Sequence, residues 1–107
     1  MSLSTNALEQ FGRARSNKVQ QAYLLTLYVS GATQRSLEAV ERVKKICDGA
    51  LAGRYRLSVV DIFQQPGRAV RDQVIAVPML VKYRPLPIRK LIGMPSDPQQ
   101  ILQVLAV

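Results

Sequence analysis

The chain has 107 residues, the length of one domain, and 48% of them are apolar, enough to bury a core. Fifteen Lys and Arg against seven Asp and Glu leave a net charge of +8, which favours an acidic partner surface, nucleic acid or anionic lipid. A single cysteine, Cys47, excludes an intrachain disulfide and a two-thiol redox centre, and the lack of histidine removes the commonest general base and metal ligand.

Residues 1–21 are polar and basic, through Arg13, Arg15 and Lys18, and read as a flexible leader with at most a turn of helix over Ser4 to Phe11. The leader lacks the continuous apolar stretch of a secretory signal, and no later run approaches the length of a membrane span. A cytoplasmic protein without membrane contact is expected. The folded domain is placed at 22–107.

"AYLLTLYV" carries Tyr23, Leu25, Leu27 and Val29 on one face and Leu24 and Tyr28 on the other, the pattern of a strand buried on both sides. "SGATQRS" supplies a glycine turn and Thr33 as N-cap. A helix follows with Leu37, Val40, Val43, Ile46 and Cys47 at helical spacing, ending at Gly49 or Gly53. "RYRLSVVDI" alternates as a second strand. The intervening helix is a crossover, so the two strands run parallel. Pro66 opens a short helix to about Val74, with Ala69, Val70 and Val74 on one side. "VPMLVKY" and "IRKLIG" are joined by "RPLP", too short for a crossover, and form an antiparallel hairpin. "SDPQQILQVLAV" begins at a cap on Ser96 or Asp97, with Pro98 in the first turn and Ile101, Leu102 and Leu105 on one stripe.

The order βαβαββα, with a parallel opening pair and an antiparallel closing pair, predicts an α/β thioredoxin-like fold with a four-stranded mixed sheet ordered 2-1-3-4. In redox members of that fold the turn after the first strand holds a dithiol activated at a helix N-terminus. Here that turn is Ser30 to Thr33 and contains no sulfur. Cys47 falls on the apolar stripe of the helix as a small hydrophobe. Val77-Pro78 stands where such folds place a cis-proline, Gly31 and Gly93 mark turns, and Asp61 is available to an Arg at the strand end. No phosphate loop, metal spacing or nucleophile triad is present, so no enzyme activity, cofactor or metal is expected.

Three stretches carry a resemblance to a known family. Leu27 to Thr33 matches the pattern "LYVAGNT". Val59 to Pro66 matches "VIDV…NP". Ala76 to Ser96 matches "ATPTLxKxxPPPxRRIIGDLS", with Pro78, Lys82, Pro85, Pro87, Arg89, Ile92 and Gly93 in common. The chain resembles the KaiB family of circadian clock proteins over Tyr23 to Ser96. The resemblance implies a non-enzymatic regulator that binds the KaiC-type ATPase hexamer in a thioredoxin-like state, displaces SasA and captures KaiA or CikA. It also implies a metamorphic chain, whose alternative ground-state fold has a rearranged C-terminal half and assembles as a tetramer. The chain departs from the pattern at Met94 and Pro95, where the family has an acid and a leucine, lacks the family's acidic tail, and adds the basic leader. Pro95 lacks an N–H and Asp97-Pro98 starts a helix, both favouring the thioredoxin-like form of a divergent homologue, as a monomer or weak oligomer.

Two sets of residues are singled out. Arg56, Lys82, Arg84, Arg89 and Lys90 are expected to face partners, and Tyr23, Gly31, Pro78, Gly93 and Met94 to set the conformation. The alternative reading is a basic nucleic-acid-binding domain. Scattered cations and few aromatics weigh against it, because no stacking platform accompanies the charge.

Overall fold

The computed structural model describes residues 22–95 and 97–106. The leader over 1–21 and the candidate cap Ser96 lie outside the described residues. Chain order is β1 (Tyr23–Val29), α1 (Gln34–Ala50), β2 (Tyr55–Asp61), α2 (Pro66–Arg71), β3 (Met79–Arg84), β4 (Arg89–Ile92) and α3 (Pro98–Leu105). The strands form one sheet ordered β2-β1-β3-β4, with β1 parallel to β2, and both β1–β3 and β3–β4 antiparallel. The described residues therefore adopt the thioredoxin-like arrangement and not the rearranged one.

β1 is central because almost every side chain in it can be buried. Tyr23, Leu25, Leu27 and Val29 join Leu80 in a cluster with Ala39, Val43, Cys47 and Leu51 from the α1 side and Ile101 and Leu105 from α3. Tyr28 faces the other way, with Val60, Met79 and Val81, under the α2 side. Burying each of these large side chains contributes about 1.5–3 kcal/mol, so the sheet is held from both faces.

α1 starts where expected. Thr33 is extended, and its hydroxyl accepts from Ser36 N at 3.1 Å, satisfying one of the free N–H groups of the first turn. The buried stripe differs from the expected one: it is Ser36, Ala39, Val43 and Cys47, while Leu37 is 52% exposed. The helix is thus rotated so that the small residues Ser36 and Ala39 face the core and Leu37 turns outward. The helix ends at Ala50, with Leu51 fully buried beyond it.

α2 is shorter than expected and buries no residue fully; Val70 points to solvent and does not join Ala69 and Val74 on a covered side. One turn and a half of helix cannot present a full apolar face. α3 starts at Asp97, whose carboxylate accepts from Gln99 N at 2.9 Å with Pro98 in the first turn, and it buries Ile101 and Leu105.

β3 carries an irregularity. Leu25 pairs with Lys82 but Leu24 pairs with Arg84, so Tyr83 is an extra residue and both Tyr83 and Arg84 stand opposite Leu24. Such a bulge lets two consecutive side chains serve one face of the sheet.

Candidate functional site

The turn after β1 is built as the sequence implies. Gly31 has φ +66, the left-handed region that glycine tolerates without strain, and Ser36 Oγ donates to Ser30 O at 3.5 Å to tie the turn to α1. Val77-Pro78 is cis, and pairing of Tyr28 with Met79 brings Pro78 alongside the end of β1. Gly93, at φ +81, donates its N–H to Pro78 O at 2.7 Å. Arg42 on α1 donates to Met94 O at 3.1 Å, and Met94 packs against the core. Tyr23 is buried in the same core, its N–H donating to Arg54 O at 2.7 Å. The five expected conformational residues thus lie at joints between β1, α1, β3 and the segment leading to α3.

Cys47 is fully buried, and burial, with Asp48 adding to it, pushes its thiol up to about 11. A thiol so placed stays protonated and inert near neutral pH. Asp61 pairs with no arginine among the described residues: its Oδ1 accepts from Phe63 N at 2.9 Å, closing an Asx turn.

A polar cluster the sequence reading missed sits under α2. The hydroxyls of Tyr28 and Tyr83 both donate to Asp72 Oδ2, and Lys90 Nζ donates to Asp72 O at 2.7 Å. Burial alone would raise the Asp72 carboxyl, but the hydrogen bonds from Tyr28 and Tyr83, with Arg71 and Lys90, hold it below the ordinary carboxylate range. Burial first, and then the hydrogen bond to Asp72, pushes the Tyr28 phenol upward. Asp72 is the residue that follows a short helix, and nothing in the local pattern singles it out; the signal was two tyrosines on one sheet face with no partner of their own.

The five expected partner-facing cations do not form one surface. Lys82 is the correction: it is 1% exposed, on the face of Leu25 and Leu80, because strand alternation sends it toward the α1–α3 core. Its burial, with Arg89 across the β3–β4 pair, lowers its ammonium pKa. Arg89 is exposed on that same face, whereas Lys90 is on the other and serves Asp72. Arg56 and Arg84 remain. Both are exposed, and both are sheet partners of Leu24 on opposite sides.

That juxtaposition extends into a cleft of about 400 Å³. Its floor is Leu24 and Thr26 of β1 with Ser58 of β2; Arg68 and Arg71 of α2 form one wall, and the Tyr83–Arg84 bulge forms the other. Arg68 and Arg71 are three residues apart, so they share a helix face, a spacing that could have been read from the sequence. Arg68 Nη2 donates to Thr26 Oγ1 at 3.4 Å. A second cleft, of about 440 Å³, runs between α1 and the free edge of β2. It is lined by Val40, Lys44, Gly53, Tyr55, Leu57 and Val59, the last 46% exposed on the outer strand.

The sheet order, the glycine turn and the capped crossover helix define an α/β protein of the thioredoxin-like class. The germline-specific thioredoxin Deadhead of Drosophila melanogaster has this fold, at a TM-score of 0.65 and 14% identity over 89% of each chain. The N-terminal domain of SasA from Synechococcus elongatus superposes with a TM-score of 0.66 and 30% identity, over 80% of this chain and 85% of that one. Residues 26–107 match the KaiB domain, and the chain belongs to the KaiB family. The circadian clock oscillator protein KaiB of a Nostoc species is 40% identical over 86 residues, 80% of each chain. The protein of the same name from Synechococcus elongatus is 39% identical over 83 residues, 78% of this chain and 81% of its own.

Proposed function

We propose that the chain is a non-enzymatic regulatory protein that acts by presenting surfaces to other proteins. In this reading it binds a KaiC-type ATPase ring in its thioredoxin-like state, competes there with a SasA-like domain, and recruits KaiA- or CikA-like proteins. The observation that carries the reading is that a KaiB-family chain has a sheet superposable on the SasA N-terminal domain, so both could occupy one docking position. The absence of sulfur from the turn after β1 and the inert burial of Cys47 support a role without thiol turnover.

Two features of β2 suit it to partner capture. It is the outer strand, so one row of its backbone N–H and C=O groups is open to strand addition, and the cleft beside it offers Leu57 and Val59 as apolar contacts. No helix among the described residues is long and apolar enough to cross a membrane, and we place the protein in the cytoplasm as a monomer or weak oligomer. Metamorphic exchange with a tetrameric ground state belongs to the same proposal.

Size-exclusion chromatography with a KaiC-type hexamer, in ATP and in ADP, tests the reading. Nucleotide-dependent co-elution and loss of a bound SasA N-terminal domain are expected. Failure to co-elute in either nucleotide overturns it. Binding of duplex DNA instead, weakening steeply with added salt, would favour the nucleic-acid alternative.

A further inference from the structure

The cleft over Leu24 has a composition that partner docking at the β2 edge does not explain. Three guanidinium groups, of Arg68, Arg71 and Arg84, line one concavity, and no carboxylate among the described residues lines it with them. Asp72, the next residue after Arg71, is already engaged by two phenol hydroxyls, and its Oδ1 lies 3.9 Å from Arg71 Nε. Guanidinium groups stay protonated at all ordinary pH values, so the cleft keeps its positive charge, which Asp72 and solvent offset only in part. Arg56 adds a fourth cation from the β2 side of Leu24.

We propose that this cleft binds a small molecule bearing a diphosphate group. A carboxylate offers about four lone-pair sites, and each arginine presents five N–H donors in a planar fork, so three forks exceed what one carboxylate can accept. Two linked phosphoryl groups offer enough oxygens, in a geometry that planar forks match bidentately, and enough charge to offset three cations. The hydroxyls of Thr26, which is 2% exposed, and Ser58 stand on the floor to complete the oxygen contacts. Leu24 and the ring of Tyr83 give the remainder of the ligand an apolar surface. The bulge at Tyr83 is what makes this arrangement: it turns Arg84 to the face it shares with Tyr83, where regular alternation would send it to the opposite side.

The test is a titration of the full chain with inorganic pyrophosphate, followed by calorimetry and by backbone amide shifts, at about 0.15 M salt where loose surface contacts are screened beyond roughly 8 Å. One saturable site is expected, with shifts concentrated at Leu24, Thr26, Ser58 and Tyr83. Arg68→Gln and Arg84→Gln should each weaken binding at least about tenfold. Arg35→Gln, an exposed cation on α1 across the sheet, should leave it unchanged. Arg84 is exposed at the end of β3, so its variant keeps the test valid if Arg68→Gln fails to fold. A titration with ADP separates sources: tighter binding than pyrophosphate assigns the site to a nucleotide, and equal binding assigns it to free diphosphate. Shifts spread over all surface cations, equal effects of Arg84→Gln and Arg35→Gln, or binding of an acidic peptide without pyrophosphate would overturn the proposal.

Discussion

Asp72 shows how one side chain can fasten a poorly buried helix. α2 contributes no fully buried residue, yet the Asp72 carboxylate just beyond it accepts hydroxyls from β1 and β3 at once. Hydrogen bonds to a charged acceptor contribute about 1.5–3 kcal/mol each in favourable cases, and exposure of part of the cluster reduces this. Asp72→Ala is expected to lower the unfolding free energy by about 2–3 kcal/mol, and Tyr83→Phe by about 1 kcal/mol, read from urea midpoints. The folded carboxyl lies below its unfolded value of about 3.9, so its contribution is complete above that pH and is lost as pH falls through the lower folded value. Asp72→Asn should therefore flatten the acid limb of the stability profile, followed by circular dichroism below about pH 5. Cys47 makes the converse case. Burial keeps its thiol protonated, so thiol reagents should label it only at the rate of unfolding, and Cys47→Ser should cost about 1–3 kcal/mol by placing an unpaired hydroxyl in the core.

At the scale of elements, those with strong local chemistry were legible and those positioned by distant contacts were not. The β1 pattern, the Thr33 cap, the parallel crossover, the hairpin around Pro85 to Ile88 and the start of α3 follow from alternation, capping residues and loop length, and all appear where these place them. The rotation of α1 was not legible, because Leu37 looks like a core residue by helical period, while the buried stripe runs through the small residues Ser36 and Ala39 instead. Lys82 was misplaced for a related reason: its charge argues for the surface, and the strand period, which puts it beside Leu25, prevails. The β3 bulge could not be read, since an extra residue changes no hydrophobic count. Two predictions belong here. Gly31→Ala meets no atom within 4 Å but must hold φ +66, so it should cost about 1–2 kcal/mol through the backbone alone, measured by thermal or urea unfolding. Val59→Asp, at an exposed position of the outer strand, should leave stability within about 0.5 kcal/mol while abolishing co-elution with a KaiC-type hexamer.

For the whole molecule, the two faces of the sheet do different work. The α1–α3 face holds the larger core, and the α2 face holds the smaller core together with the Asp72 cluster and the arginine-lined cleft. The net charge of +8 hinted at an anionic partner, but composition could not say that Arg68, Arg71 and Arg84 converge while Arg89 and Lys90 part to opposite faces.

The extra residue in β3 makes strand length a control on surface chemistry. Deleting Tyr83 would restore strict alternation with Arg84 still opposite Leu24, and would strip that side of the sheet of the aromatic donor to Asp72. A relative differing by one residue at this point could keep every helix and strand yet hold its α2 segment and the surface beside it differently, so close similarity in fold need not mean interchangeable partners.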